Sequence, residues 1–124
     1  KMIKIANNNF KYFQNIKFEK LNLLENKNHK KYDYVLASGI FNIKNNFSNA
    51  RWQNYSFKMI DKMFYFSKIG IGFNMMSNHV DYKDKHLYYA SPQDILEYCL
   101  KNLSRKVSIH HDYDLYEFTT FVYK

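Results

Sequence analysis

Two short apolar runs, each ending in small or polar residues, set the strongest limit on what this chain can fold into. The first run, residues 34–37, follows a charged lead-in and stops at Ser38 and Gly39. The second run, residues 68–75, stops in the same manner. Continuous apolar runs of this length are typical of buried parallel strands. With a helical stretch between them, they predict a βαβ unit in an α/β sheet. Ligands of such sheets bind beyond the carboxyl ends of the strands.

The remaining patterns predict elements in the order α-β-β-α-β-α-β-β. Apolar residues at helical spacing predict helices over residues 1–13 and 49–66, and Ser91 followed by Pro92 predicts the start of a third, reaching about residue 103. Strands are predicted over residues 16–21, 32–37, 68–75, 106–111 and 115–124. The last two form an antiparallel hairpin, because only a short polar turn separates them. The loop over residues 78–90 is long for a compact domain, and such loops are often functional.

Composition narrows the function classes. A chain of 124 residues forms one domain at most. Its formal charge of +8 comes almost entirely from scattered lysines, with Arg51 and Arg105 the only arginines. Bidentate hydrogen bonding to phosphate or guanine favours arginine, so the scarcity of arginine disfavours nucleic acid as a partner. The single cysteine, Cys99, excludes an internal disulfide and lies on the apolar face of a predicted helix. No apolar run is long enough to cross a membrane, so we expect a cytoplasmic protein.

A parallel α/β sheet that finishes in an antiparallel hairpin resembles the class I S-adenosylmethionine-dependent methyltransferases. Residues 32–42 resemble the fourth strand of that family and the loop after it, and residues 68–74 resemble its fifth strand. Residues 107–113 with residues 116–123 resemble its closing hairpin, as found in small bacterial members linked to surface-polysaccharide pathways. The resemblance implies a partial Rossmann-like methyltransferase sheet over residues 1–124.

The chain departs from this family at its amino-terminal end. The family carries a glycine-rich loop after its first strand and an acidic residue at the end of its second strand, which hold the cofactor. The three glycines here are Gly39, Gly70 and Gly72, and none opens such a loop. The resemblance therefore implies an N-terminally truncated domain. We expect the isolated chain to be poorly soluble, because truncation exposes a strand edge, and to bind no cofactor alone.

The resemblance also implies site residues. Asn22 takes the place of the acidic residue that holds adenine, and Leu23 offers its backbone N–H. Ala37, Ser38 and Gly39 flank the methionine part of S-adenosylmethionine. Asn22 and Gly39 are also ordinary turn residues, and that interpretation stays open.

The 78–90 loop lies where the family often builds its acceptor site. His79, Asp81 and Tyr82 are the candidates for a general base, which only a weakly nucleophilic acceptor such as a sugar hydroxyl requires. His86, Tyr88 and Tyr89 are candidates for lining the acceptor. A solvated surface loop is the simpler alternative for the same residues.

The chain carries one sequence that could suggest a metal site, next to the expected methyl-transfer function. The sequence His110-His111-Asp112 suggests a metal, but neighbours on a strand point to opposite faces, so no metal site is expected. The function expected is methyl transfer to a small-molecule or sugar-linked acceptor by the full-length protein. The alternatives are a non-catalytic module that binds RNA or another anionic partner through its basic surface, and a structural chain that completes its sheet with a partner. The oligomeric state is not indicated by the sequence.

Overall fold

The computed structural model describes all 124 residues. Its elements follow in the order α1 (Met2–Asn9), β1 (Tyr32–Ala37), α2 (Asn49–Phe66), β2 (Ser67–Met76), α3 (Pro92–Asn102), β3 (Lys106–His110) and β4 (Glu117–Tyr123). The strands form one sheet in the order β1-β2-β4-β3. β1 and β2 are parallel, and β4 is antiparallel to both of its neighbours. The expected sheet, parallel strands followed by an antiparallel hairpin, is therefore confirmed.

The two long helices begin at serine caps. The Ser48 side chain accepts a hydrogen bond from the Arg51 N–H at 3.2 Å, and the Ser91 side chain accepts one from the Asp94 N–H at 3.2 Å. Each bond satisfies a backbone donor that has no partner within the helix. α2 passes into β2 without a connecting loop, and the Ser67 hydroxyl donates to the Phe64 carbonyl at 2.9 Å at this junction.

The core lies on one face of the sheet. Alternate residues of β2 and β4 point to this face, where they meet the inner sides of α2 and α3. The fully buried members of this cluster are Phe41, Ile60, Met63, Ile71, Phe73, Met75, Ala90, Ile95, Cys99, Phe118 and Val122. Burial of this apolar surface is the main stabilising contribution to the fold.

The opposite face of the sheet is open to solvent at β1. Leu36 is 72% exposed and Tyr34 is 53% exposed. These residues pair with Gly72 and Gly70 of β2. The rings of Phe121 and Tyr123 on β4 lie close to the same two glycines, within about 3 Å of where a Cβ would be. Aromatic rings of the sheet itself thus cover the glycine positions, in place of a helix.

The predicted strand over residues 16–21 is wrong. The segment has no regular structure, and Ile16 and Leu21 are 40% and 57% exposed. β1 forms a ladder with β2 alone, so the segment has no strand neighbour to satisfy its backbone groups. The first helix is also shorter than predicted, since it ends at Asn9. None of the three helices has the length and apolarity that crossing a membrane requires.

Candidate functional site

A cleft of about 610 Å³ lies beside the carboxyl end of β1. Its volume falls in the range of roughly 300 to 1,000 Å³ that is usual for small-molecule sites. Its lining is mostly apolar and consists of Leu21, Asn22, Leu23, Leu24, Val35, Leu36, Ala37, Ser38, Ile40, Tyr55, Met59 and Met63. We call it the β1 cleft. A depression of about 660 Å³ along α3 is a weaker candidate, because one helix and its end supply all six lining residues and four of these are polar or charged.

Four of the five residues predicted to hold a cofactor line the β1 cleft: Asn22, Leu23, Ala37 and Ser38. The segment 21–24 lies beside the end of β1, although this segment is not a strand. The Asn22 side chain accepts a hydrogen bond from the Leu24 N–H at 3.2 Å, which forms a local turn. The Leu23 N–H donates to no acceptor within the protein.

The fifth residue, Gly39, forms the turn directly after β1. Its φ is 70°, in the left-handed region that favours glycine. Its N–H donates to the side-chain oxygen of Asn74, on the neighbouring strand, at 2.8 Å. A Cβ at this position would meet no atom within 4 Å, so open space adjoins the turn.

A polar network adjoins this turn, and Gly39 is the only one of its members that the sequence predicts as a site residue. The Glu117 carboxylate accepts from the Asn74 amide at 2.5 Å on one oxygen and from the Asn42 amide at 3.0 Å on the other. The Asn42 side-chain oxygen accepts from the Met76 N–H at 3.1 Å. We call the five residues that these hydrogen bonds join the Glu117 network: Gly39, Asn42, Asn74, Met76 and Glu117. The sequence signal for this network is a polar residue, Asn74, in the apolar second half of β2.

The predicted catalytic residues His79, Asp81 and Tyr82 are all exposed in the 78–90 loop. The Tyr116 hydroxyl donates to the Asp81 carboxylate at 2.7 Å. The His79 N–H donates to the Ser77 hydroxyl at 3.1 Å, while its ring makes no hydrogen bond. Tyr82 is 78% exposed. His79 and Asp81 are therefore not joined as a hydrogen-bonded pair, and their catalytic roles stay predictions.

The 78–90 loop is held at both ends. Ser77 and Ala90 form a bridge, and Ile43 and Leu87 form another, which attaches the loop to the segment after β1. The hydrogen bond to Asp81 raises the pKa of Tyr116 above its usual value of 10.0.

The remaining titratable side chains offer no second site. His110 lies 4.0 Å from Asp112, and no group of three histidine, cysteine or acidic residues is placed to hold a metal ion. Burial raises the pKa of the Cys99 thiol to about 12, so it is not a nucleophile at neutral pH.

One relative in sequence and two solved structures similar to this chain carry the name methyltransferase. No protein-family model matches the chain. A protein of Mycobacterium tuberculosis strain H37Rv named "Putative methyltransferase Rv1506c" is 35% identical over 94 residues, which make up 74% of this chain and 57% of that protein.

Solved structures of magnesium protoporphyrin IX methyltransferase (ChlM) from Synechocystis PCC 6803 match 99% of this chain. The structure with bound SAH has a TM-score of 0.68 at 12% identity and is covered over 59% of its length. The structure with bound SAM has a TM-score of 0.62 at 13% identity and is covered over 54%. The chain has a methyltransferase fold. It spans less than two thirds of the length of each of these matches.

Proposed function

We propose that this chain is part of an S-adenosylmethionine-dependent methyltransferase and that its β1 cleft takes the cofactor. The observation that carries the proposal is the position of the cleft. It lies at the carboxyl end of a parallel strand, beside a glycine turn with open space next to it. This is where open α/β sheets bind their ligands. The similarity to methyltransferases supports the same conclusion.

The lining of the cleft fits this cofactor chemically. Its apolar walls suit the adenine ring, and the Asn22 amide and the Leu23 N–H offer hydrogen bonds to the edge of the ring. Ala37, Ser38 and Gly39 leave room at the strand end for the methionine part. S-adenosylmethionine, when bound, supplies a methyl group on a sulfonium that is open to in-line attack. The protein contributes chiefly by positioning the acceptor against that methyl group.

We further propose that the acceptor is a small molecule or a sugar-linked hydroxyl that binds at the 78–90 loop, in a cytoplasmic pathway of surface-polysaccharide synthesis. Of the three candidate bases, His79 is the one best placed to take a proton. Its ring is exposed and makes no hydrogen bond, whereas Asp81 already accepts from Tyr116. Tyr82 and the rest of the loop would line the acceptor.

Calorimetry with S-adenosylhomocysteine tests the cofactor site, using this chain and the longest product of its gene. Ser38→Trp fills the β1 cleft, and Asn54→Trp places the same ring on the exposed outer side of α2 as a control. We expect Ser38→Trp to weaken binding at least about tenfold and Asn54→Trp to leave it unchanged. Equal loss in both variants, or no binding by either protein form, contradicts the proposal.

The alternative partner is RNA or another polyanion. If neither protein form binds S-adenosylhomocysteine but the chain binds RNA with an affinity that falls steeply with salt, the non-catalytic alternative replaces the enzyme.

A further inference from the structure

The Glu117 carboxylate is bound on each oxygen by a different asparagine. Asn74 comes from β2 and Asn42 from the segment after β1, and the two amides donate at 2.5 and 3.0 Å. Glu117 opposes Met76 in the antiparallel ladder, so it lies diagonally across from Asn74 on the open face of the sheet. Three elements far apart in sequence therefore meet at one carboxylate.

The charge at position 117 determines which way each asparagine amide faces. A carboxylate only accepts hydrogen bonds, so the NH₂ group of each asparagine must point toward it. The oxygen of each asparagine then points away. Accordingly, the Asn74 oxygen accepts from the Gly39 N–H at 2.8 Å and the Asn42 oxygen accepts from the Met76 N–H at 3.1 Å.

The network has two arms, one from Glu117 through Asn74 to Gly39 and one from Glu117 through Asn42 to Met76. Each arm fixes a segment next to the proposed site. The Asn74 arm holds Gly39, the turn beside the β1 cleft. The Asn42 arm holds the segment that pairs with the 78–90 loop, since the Tyr88 N–H donates to the Asn42 carbonyl at 2.8 Å. Glu117 thus connects the turn at the cleft with the loop proposed to bind the acceptor.

No cation neutralises this half-buried carboxylate. The ion pairs of the protein are Lys17–Glu19, Lys68–Asp33 and the histidine pair of Asp112, and none includes Glu117. Two neutral amides are its only partners, although the chain carries a net charge of +8. A charge removed from water costs stability unless it is hydrogen-bonded, so the network depends on both amides keeping their orientation.

We propose that Glu117 is a positioning residue that acts through Asn74 to hold the Gly39 turn in place. The inference rests on the proposed function in one respect, that this turn belongs to a cofactor site. The effect on the turn itself does not depend on any ligand.

The test moves the carboxylate from position 117 to position 74. Asn74→Asp alone removes the N–H donor that faces Glu117 and places two carboxylates in contact at pH 8. Their repulsion displaces the side chain at position 74 from the place where its oxygen accepts from the Gly39 N–H. Adding Glu117→Gln restores a complete set of bonds. The carboxylate now at position 74 accepts from the Gly39 N–H and from the amide introduced at position 117, and the oxygen of that amide accepts from Asn42. Adding Glu97→Gln instead removes one charge from an exposed position of α3 and is the matched control.

The readout is the hydrogen-exchange rate of the Gly39 N–H, measured by NMR. We expect Asn74→Asp to speed exchange about fivefold to tenfold, as loss of one hydrogen bond implies. Glu117→Gln should return the rate to the starting value, and Glu97→Gln should not. Unchanged exchange in Asn74→Asp, or equal rescue by the control, overturns the proposal. If Asn74→Asp does not fold, Asn42→Asp with and without Glu117→Gln tests the other arm, with the Met76 N–H as reporter.

Affinity for S-adenosylhomocysteine, measured on the same variants, separates the two proposals. If affinity falls in the variant whose Gly39 N–H exchanges faster, and recovers where the exchange rate recovers, the turn contributes to cofactor binding. Exchange that responds while affinity does not overturns the link to binding. No binding by either this chain or the longest product of its gene contradicts the proposed function, and the exchange rates still decide the role of Glu117.

Discussion

At Gly39, the requirement for glycine comes from the backbone and not from packing. The residue has a φ of 70°, and no atom lies within 4 Å of where its Cβ would be. Gly39→Ala should therefore cost about 1 kcal/mol of folding free energy, through left-handed strain alone. Urea denaturation measures this cost. Gly39→Asn is the control, because asparagine tolerates this conformation better, and an asparagine variant less stable than the alanine variant would refute the explanation.

Cys99 is a fully buried thiol in α3. Burial is the largest cause that raises its pKa, from 9.0 to about 12, and the Asp61 charge adds to it. The thiolate fraction at pH 8 then falls about a thousandfold, so a thiol reagent should modify the native chain very slowly and the urea-unfolded chain rapidly. Comparable rates in the two states would mean that the α3 face opens readily to solvent.

Among the elements, β2 depends most closely on its neighbours across the sheet. A Cβ at Gly72 would lie 2.9 Å from the Phe121 ring and 3.0 Å from the Leu36 side chain. Gly72→Ala should destabilise the fold by about 1–3 kcal/mol, since these groups must shift. Phe121→Leu removes the nearest ring atom, so the same substitution in that background should cost less. An equal cost in both backgrounds, measured by urea denaturation, would show that the ring is not responsible.

Most element boundaries follow from local sequence signals. The sequence predicts a long helix that is capped by Ser48 or Asn49 and ends near residue 66, and a strand over 32–37. The structure has α2 over Asn49–Phe66 with Ser48 as its cap, and β1 over Tyr32–Ala37, because a helix cap and an apolar run ending at Ser38 are local features. The strand predicted at 16–21 fails for a different reason. Alternation of apolar and polar residues indicates a strand only if the segment pairs with another strand, and this segment pairs with none.

The candidate site could be predicted only in part. Asn22 and Ala37 are expected together because a family resemblance implies both positions, and they do line one cleft. Glu117 could not be found in this way. Its role depends on the register of β2 against β4, which brings it diagonal to Asn74 over a separation of 43 residues. Nothing local in the sequence encodes that register.

For the whole molecule, the buried thiol and phenols predict a loss of stability at high pH. Burial is the largest cause that raises the pKa of Tyr88 and of Cys99 to about 12, and it also raises the pKa of Tyr98. All three are neutral when protonated. The unfolded chain therefore releases these protons first, from about pH 9 for the thiol and about pH 10 for the phenols.

The stability that these groups contribute is fully present below pH 9 and is lost as the pH rises toward 12. Each group should lower the free energy of unfolding by about 1.4 kcal/mol per pH unit within its window. Urea denaturation at pH 8, 10 and 11 measures the slope. Tyr88→Phe should make the fall in the free energy of unfolding between pH 10 and 11 smaller by about 1.4 kcal/mol per pH unit, which corresponds to one proton. An unchanged slope would exclude Tyr88 from the effect.

The strand order β1-β2-β4-β3 has a consequence for how the chain folds in time. β3 and β4 are joined by a short turn, and Lys106 pairs with Tyr123, so this hairpin can form within microseconds from local contacts. β2 pairs with the nearby β1 on one side, but its other partner is β4, and there Gly70 must find Tyr123, far along the chain. Bringing β2 and β4 together closes a long loop, and the entropic cost of that closure comes before the β2–β4 contacts that offset it have formed. The slow step of folding should then be the docking of a preformed β3–β4 hairpin onto the β1–α2–β2 unit, which also brings Glu117 to its two asparagines.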